Sequence, residues 1–320
     1  MTSDIVYVTD ADPGISRRRR GRGFSYAAPD GTVIARGPIR ERIEALAVPP
    51  AYEDVWICAQ ENGHLQATGR DSRNRKQYQY HPDWTAMRSE TKFDNLVAFG
   101  QRLPAIRRRV LRDLQTDPGD LEFALAAAVD IIDRAALRVG HPEYSEQNGS
   151  YGALTLRRRH LSMKDGALML RFTAKGGQKV RKVVTDRKLH SSLQRVNDVP
   201  GARLLSWLDD AGAPQSLSSE QLNGYLAKAA KDDAVTAKTF RTWAGTLAAF
   251  AVAEDGPVTI KQMSMAAADR LHNTPTVARN SYIHPAVVDL AGAGSVTCKP
   301  QNRSGLRVGE QRLLGFLTAQ

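Results

Sequence analysis

The spacing of hydrophobic residues divides the chain into a β-rich part and a helical part. Up to about residue 90, apolar residues lie in short β-favouring runs separated by turn residues such as Asp30-Gly31 and Asn62-Gly63. The predicted strands are Ile5–Val8, Phe24–Tyr26, Thr32–Ala35, Val55–Ala59, His64–Thr68 and Lys76–Tyr80, and one helix is predicted at Ile39–Ala47. Asn62-Gly63 predicts a tight hairpin between two of these strands.

From about Lys92 the apolar residues recur at helical spacing, and an Ala- and Leu-rich run predicts a helix over Leu121–Arg138. A small sheet is then predicted at Leu154–His160, Leu168–Thr173 and Lys179–Thr185, with turns at Asp165-Gly166 and Gly176-Gly177. Ser218 and Gln221 indicate a capping box. Residues 291–305 are expected to be irregular, before a short terminal helix.

These patterns predict an α+β fold. We expect a small β-rich N-terminal domain at residues 1–90 and a larger, mainly α-helical domain at residues 91–320 that carries a three-stranded sheet.

The charge balance favours a polyanionic partner. Lys plus Arg number 45 against 34 Asp plus Glu, which gives a net charge of +11, and the pI is about 9.8. Such a surface attracts nucleic acid. The run Arg17–Arg20, followed by Arg22, predicts a flexible basic loop, which is either simply solvated or in contact with phosphate.

Other compositional features indicate a cytoplasmic protein. Cys58 and Cys298 are far apart and lack metal-ligand spacing, which fits a reducing compartment. The N-terminus lacks the pattern of a secretory signal. The apolar run Trp243–Ala253 is too short to span a bilayer. Because the chain has no Walker loop and no cluster of metal-binding carboxylates, we expect no cofactor and no metal.

Four positions together suggest covalent chemistry on a phosphodiester. A tyrosine phenol, as at Tyr282, can attack phosphorus and form a reversible ester. The guanidinium groups of Arg138 and Arg241 can neutralise the non-bridging oxygens. Lys175 can protonate the leaving oxygen. Each residue alone is more typical of a helix end, a turn or a packed ring, so the prediction depends on the set.

In their order and local motifs these residues resemble the type IB DNA topoisomerases of the short viral and bacterial branch. Arg138 matches the arginine that ends a helix in that family, and Lys175 lies in the matching hairpin turn. Arg241, in Lys-x-x-Arg-Thr-Trp, matches the second arginine, and Tyr282, in Ser-Tyr-Ile-His-Pro, matches the nucleophile. The resemblance covers nearly the whole chain.

One position departs from the commoner pattern of the family. Nine residues before the tyrosine, many members have a histidine that donates to a phosphate oxygen, and this chain has Asn273 there, preceded by His272. An amide also donates a hydrogen bond, although it carries no charge. Asn273 is therefore the predicted ligand, and a shifted register with His272 as the ligand stays open.

The resemblance also implies residues that contact DNA. Arg75, Gln77, Tyr78 and Tyr80 lie on a strand resembling the one that short members place in the major groove, where Gln and Arg can read base edges. In the larger domain the predicted DNA contacts are Tyr144, Thr155 and Lys238.

The resemblance implies that the chain is a monomer that closes around double-stranded DNA as a clamp and associates with the nucleoid. It would relax supercoils through a transient 3′-phosphotyrosyl link, without ATP or metal. Two alternatives remain. A tyrosine recombinase usually has His-x-x-Arg where this chain has Lys238-x-x-Arg241, and a non-enzymatic DNA-binding protein would form no covalent adduct.

Overall fold

The computed structural model describes residues 4–164, 166–196, 199–293, 296 and 298–320, without the side chains of residues 89–91. Internal contacts divide the chain into two compact units, Met1–Thr91 and Lys92–Gln320. The expected boundary lay after residue 90. Each unit has its own hydrophobic core, as expected when a chain of this length forms two domains.

The first unit is built on a five-stranded antiparallel sheet with the strand order β2-β1-β3-β4-β5. Its elements are β1 (Ile15–Arg20), β2 (Gly23–Ala27), helix α1 (Pro38–Ala45), β3 (Glu53–Ile57), β4 (Leu65–Arg70) and β5 (Lys76–Tyr80). Ile43 of α1 packs on Ile15, Tyr26 and Ile57 of the sheet, so burial of one sheet face holds this unit together.

The basic run is a strand, so the prediction of a flexible loop was wrong. Arg17–Arg20 pair with β2, and Gly21 has a positive φ of 57° at the turn between the strands. Arg17 donates to the carbonyl oxygens of Val48 and Tyr52. These bonds hold a charged side chain at the sheet, which explains how a polar run takes up strand structure.

Three other predictions for the first unit need correction. Ile5–Val8 and Thr32–Ala35 form only isolated bridges, Val6 to Gly63 and Ala27 to Val33. The connection between β3 and β4 is longer than a tight turn, because Gln66 bonds back to the carbonyl of Gly63 and stabilises a wider loop.

The second unit is mainly helical. Its helices are α2 (Pro82–Asp113), which begins in the first unit, α3 (Leu121–Ala135), α4 (Pro142–Asn148), α5 (Arg187–Val196), α6 (Ser219–Ala230), α7 (Ala237–Glu254), α8 (Ile260–Leu271), α9 (Pro275–Tyr282), α10 (Pro285–Val288) and α11 (Val308–Thr318). Its strands are β6 (Leu161–Lys164), β7 (Ala167–Thr173) and β8 (Lys179–Val184), which form an antiparallel sheet, and the pair β9 (Ser206–Leu208) and β10 (Pro214–Ser216). The α+β fold is confirmed.

Helix α3 is the centre of this unit. Residues 123–132 are all buried, so the helix is covered on every side, as its Ala- and Leu-rich sequence allows. Helix α7 packs against it, and the rings of Phe240 and Trp243 on α7 lie edge-on to Phe99 of α2. The capping box of Ser218 and Gln221 at the start of α6 is confirmed.

Two elements of this unit differ from the prediction, one in its type and one in its end. Leu154–His160 is not a strand but contains the 3₁₀ turns Ala153–Thr155 and Arg158–His160, in which Leu154, Leu156 and His160 are buried. Helix α3 ends at Ala135 because Ala136 is left-handed, with φ 52°. Arg138 therefore lies just after the helix rather than in it.

The turn at Asp165-Gly166 falls partly outside the described residues, at Asp165. Residues 291–305 contain no helix or strand in their described part, as expected, and α11 follows. Within the described ranges, no helix is both long enough and apolar enough to cross a bilayer.

Candidate active site

Tyr282 is the last residue of α9, and its backbone lies directly against α7. The hydroxyl of Thr246 donates to the carbonyl oxygen of Tyr282 at 3.1 Å. A Cβ atom at Gly245 would lie only 2.8 Å from that oxygen and 3.0 Å from Cβ of Tyr282. Helix α7 can approach Tyr282 this closely because position 245 has no side chain. The contact fixes the position of the Tyr282 backbone and Cβ, from which the phenol extends.

Arg241, one helical turn before Gly245, lies under the tyrosine ring. Its guanidinium carbon is 5.1 Å from the ring centroid of Tyr282, and only 4% of the residue is exposed. It donates to the carbonyl oxygens of Ala136 and, at 3.0 Å, of Leu271. Burial lowers the pKa of Arg241 to about 10, and Tyr282 partly opposes that shift. At neutral pH Arg241 is a buried cation beside the phenol.

Arg138 and Asn273 are joined by a hydrogen bond. The guanidinium of Arg138 donates to Oδ1 of Asn273, and burial lowers the pKa of this arginine. Asn273 follows the end of α8, where its backbone N–H and the N–H of His272 both donate to Ala268. Since Arg241 donates to the carbonyl of Leu271, the same helix end connects Asn273 with Arg241.

His272 lies among the cations of this site. It has a left-handed φ of 50° at the end of α8. Burial, followed by the neighbouring charges of Lys182, Arg241, Arg270 and Arg138, lowers the pKa of His272 below its ordinary value. Its imidazole is therefore neutral at pH 7, and the shifted register would make it a neutral ligand.

Three buried nitrogens of this cluster have no hydrogen-bond partner among the described residues. They are Nε of Arg241, Nε2 of His272 and Nδ2 of Asn273. Buried polar atoms in folded proteins are nearly always paired. A group with several acceptor oxygens and a negative charge suits such a cluster. No group of three or more His, Cys, Asp and Glu in the described part of the chain could hold a metal ion.

Lys175 lies on a turn between two strands, whereas the other residues of the site lie on or next to helices α3, α7, α8 and α9. It is exposed at the 3₁₀ turn between β7 and β8, where Gly176 and Gly177 have φ angles of 77° and 76°. Within the described residues, no hydrogen bond or ion pair joins Lys175 to Tyr282 or Asn273. The structure thus brings together Arg138, Arg241, Asn273 and Tyr282, and has Lys175 on the turn between β7 and β8.

Two partly buried lysines near the site were missed by the sequence analysis. Lys182 on β8 donates to the carbonyl of Arg270 at 2.7 Å, and burial, with the charges of Arg270 and Arg241, lowers its pKa to about 7. Lys92 on α2 donates to the carbonyl of Ser281 at 3.0 Å, and burial with the charge of Lys238 lowers its pKa to about 8. No motif marks either residue.

Comparison with known families agrees with this geometry. Residues 75–273, more than half of the chain, match the catalytic core of eukaryotic DNA topoisomerase I. Residues 23–71 match the N-terminal domain of bacterial DNA topoisomerase IB. The chain belongs to the type IB DNA topoisomerase family. It is therefore an enzyme that acts on DNA and relaxes it.

A curated relative supports the same assignment. DNA topoisomerase 1B of Acanthamoeba polyphaga mimivirus is 28% identical over 238 residues, which cover 73% of this chain and 70% of that protein. The catalytic-core match includes Arg138, Lys175, Arg241 and Asn273, and it ends before Tyr282.

On and just before β5, the residues predicted to contact DNA have two different surroundings. Arg75 forms an ion pair with Asp71 at 2.6 Å, and Gln77 donates to the same carboxylate at 3.0 Å. Tyr78 and Tyr80 are exposed, and their rings lie nearly parallel with centroids 6.3 Å apart. In this unit the two tyrosines are thus accessible, although the ammonium of Lys76 lies 5.6 Å from the centroid of the Tyr78 ring, whereas Arg75 and Gln77 have an internal partner.

In the second unit, Tyr144 on α4 and Lys238 on α7 are exposed. Thr155 is only 2% exposed, and its hydroxyl accepts a hydrogen bond from the backbone of Gly152 within its own turn. This burial does not favour a phosphate contact by Thr155. The DNA contacts at all these positions stay predictions.

Proposed function

We propose that the protein relaxes supercoiled duplex DNA by a transient break in one strand, without ATP or metal. Tyr282 attacks a phosphodiester, so that a bond forms between its phenolic oxygen and phosphorus as the bond to the 5′ oxygen breaks. The products are a 3′-phosphotyrosyl link and a free 5′ hydroxyl. After the strand has swivelled, that hydroxyl attacks the link and reseals the DNA.

In this proposal each residue has a separate role. Arg138, Arg241 and Asn273 hold the non-bridging oxygens, where charge develops in the transition state. Lys175 gives its proton to the leaving 5′ oxygen. The cation of Arg241 under the ring also stabilises the negative charge on the phenol as its proton leaves.

The unpaired nitrogens beside Tyr282 carry this proposal. Nε of Arg241 and Nδ2 of Asn273 are buried donors without a partner among the described residues, and the guanidinium of Arg241 is 5.1 Å from the tyrosine ring. A tetrahedral phosphate offers acceptor oxygens to both donors while its phosphorus faces the phenol. A structural arginine would normally have its hydrogen bonds satisfied.

We further propose that the exposed residues of each unit contribute the DNA contacts. Tyr78, Tyr80, Tyr144 and Lys238 are open to a ligand. Arg75 and Gln77 would have to exchange Asp71 for a base edge, and Thr155 would have to expose its hydroxyl. We therefore expect the first four to contribute more to affinity.

Plasmid relaxation tests this function. Supercoiled plasmid is incubated in EDTA without ATP with the wild type, with Tyr282→Phe, and with Tyr7→Phe as a matched loss of one phenolic oxygen at an exposed site. We expect relaxation by the wild type and by Tyr7→Phe, and none by Tyr282→Phe. In parallel, 5′-labelled duplex quenched with SDS should give a protein-linked strand with the wild type and Tyr7→Phe, but not with Tyr282→Phe.

Other outcomes would favour another function. Strand exchange between two duplexes would indicate a recombinase. DNA binding without relaxation or an adduct would indicate a non-enzymatic binding protein. Relaxation by Tyr282→Phe would exclude Tyr282 as the nucleophile.

A further inference from the structure

Lys182 connects two parts of the second unit that carry different predicted catalytic residues. It lies on β8, which follows the turn with Lys175, and its ammonium donates to the carbonyl of Arg270 at 2.7 Å. Arg270 is in the last turn of α8, shortly before Asn273. This hydrogen bond between side chain and backbone joins residues 88 positions apart in the chain.

The end of α8 is held by two basic side chains in succession. Lys182 donates to the carbonyl of residue 270, and Arg241 donates to the carbonyl of Leu271. The last carbonyls of a helix have no partner within the helix, and positive charge there is favourable. The side chain of Arg270 itself donates to the carbonyl of Arg134. The two side-chain donors thus fix the backbone that leads into His272 and Asn273.

A lysine is costly at this position, which argues for a role beyond packing. The charged groups that face Lys182 are Arg270 on α8 and Arg241 on α7, both positive, and His272 beyond α8. Burial and the two arginines lower the pKa of Lys182 to about 7. A hydrophobic residue would avoid the burial of a cation beside two others, but it could not bond the helix end.

We propose that Lys182 is a positioning residue for DNA cleavage, which fixes the strand that follows Lys175 against the end of helix α8 that carries Asn273. It keeps the ammonium of Lys175, the acid, and the phosphate-binding amide of Asn273 in constant positions relative to each other. Lys182 itself does not contact DNA. The part that concerns Lys175 rests on the function proposed above.

Single-turnover cleavage tests the kinetic part. The rate is measured on normal DNA and on DNA with a 5′-bridging sulfur, whose better leaving group needs no acid. Lys182→Met should slow cleavage of normal DNA by about 10- to 100-fold and that of the sulfur substrate clearly less, because a displaced Asn273 affects both substrates whereas a displaced acid affects only normal DNA. Lys182→Arg, which keeps a donor and a charge, should restore most of the rate. Lys164→Met, which removes the same charge from exposed β6 of the same sheet, should leave both rates unchanged.

Two results would overturn the role of Lys182. Equal slowing of both substrates by Lys182→Met, or no slowing at all, would exclude a role in positioning the acid. Lys175→Ala in the same assay tests the underlying function separately. If it slows both substrates equally, Lys175 is not the acid, and the kinetic link between the two residues is excluded with it.

Hydrogen exchange measures the contact with α8 independently of Lys175. The backbone N–H groups of His272 and Asn273 both donate to the carbonyl of Ala268. If Lys182 holds this helix end, Lys182→Met should speed amide exchange at these two residues several-fold, and Lys164→Met should not. Unchanged exchange in Lys182→Met would overturn the proposed contact even if the kinetics had changed.

Discussion

Gly245 lies where helix α7 passes closest to the backbone of Tyr282. A methyl group there would come within 3.0 Å of the carbonyl oxygen and Cβ of Tyr282 and of a methyl of Leu271. Real Cβ contacts are almost never that short, so the nucleophile or the helix would have to move. At the residue scale, the position of the phenol therefore depends on the absence of a side chain at residue 245, two positions after Trp243 in helix α7.

We therefore expect Gly245→Ala to be destabilising. The alanine gains up to about 1 kcal/mol of helix propensity, but overpacking costs about 1–3 kcal/mol. The variant should lose stability in urea unfolding and cleave DNA more slowly, because Tyr282 is displaced. Gly224→Ala in α6 is the matched control, since no atom lies within 4 Å of its new Cβ. That control should gain stability. A stabilised and fully active Gly245→Ala would contradict the close contact.

The choice between Asn273 and His272 can also be tested residue by residue. If Asn273 donates to the phosphate, Asn273→Ala should slow cleavage by about 100- to 1,000-fold. Asn273→His should keep or raise activity, since a ring nitrogen replaces the amide. His272→Asn keeps a residue that accepts the left-handed φ of 50°, so it should stay active. Loss of activity in His272→Asn, with Asn273→Ala active, would establish the shifted register.

At the scale of elements, a buried ion-pair network joins three helices of the second unit. Arg107 on α2 contacts Asp133 on α3 at 2.8 Å and Glu310 on α11 at 2.7 Å. Both carboxylates are buried, and the arginine holds the pKa of Asp133 below its usual range although burial acts in the opposite direction. Each helix thus supplies one charged group, and its burial is favourable only when the charged groups of the other two helices are present.

Removal of the shared cation should therefore be costly. Arg107→Met leaves two buried carboxylates without their main partner, and we expect a loss of about 3–5 kcal/mol in unfolding free energy. Arg108→Met changes the neighbouring, exposed arginine of the same helix and should change stability by less than about 0.5 kcal/mol. Urea unfolding of both variants at pH 7 makes the comparison, and similar effects would exclude a central role for the network.

The contact between β8 and α8 should give the protein a pH dependence that can be isolated. The pKa of Lys182 is about 7 in the folded state, and that of an unfolded lysine is about 10.4. Between these values the unfolded state binds more protons, so stability rises with pH. Lys182→Met lacks this contribution, whereas Lys92 is common to both proteins. The wild type should therefore gain stability relative to Lys182→Met in urea unfolding from pH 7 to pH 9. A constant difference would contradict burial of the lysine.

Elements with one clear periodicity could be predicted from the sequence. The strand Lys76–Tyr80 and the capping box at Ser218 are local patterns, and both are present in the structure. Leu154–His160 was assigned wrongly because apolar residues at alternate positions, such as Leu154 and Leu156, are typical of a strand, yet here they anchor two 3₁₀ turns. The basic run was assigned wrongly because Arg17 takes its partners from a distant loop.

The site was predictable only where a motif marks the residue. The local motifs pointed to Arg241 and Tyr282, which the structure places side by side. Lys182 lies on the same face of β8 as the buried Val180, but a lysine at such a position is no motif, and its contact depends on the position of α8 in three dimensions. Such long-range contacts leave no local pattern.

At the scale of the whole molecule, the positive charge is present in two separate settings. Arg138, Arg241 and Lys182 are at least partly buried, and burial lowers the pKa of each. Many other basic residues, such as Lys238, are exposed. Exposed cations attract DNA over long range and release its counterions, whereas buried ones act only on a group that enters the site. Affinity and catalysis should therefore respond to different substitutions.

DNA affinity should fall steeply with salt, in keeping with the net charge of +11. The logarithm of the binding constant falls linearly with the logarithm of the salt concentration, by about 0.9 for each phosphate contact. Lys238→Ala should weaken binding and reduce that slope by about one, because the residue is exposed beside the site. Lys182→Met should leave the slope unchanged, since its ammonium is bonded to a carbonyl of its own chain. Fluorescence anisotropy of labelled duplex at several salt concentrations measures both slopes. A reduced slope in Lys182→Met would mean that this lysine meets a phosphate, and that it acts on DNA directly rather than through helix α8.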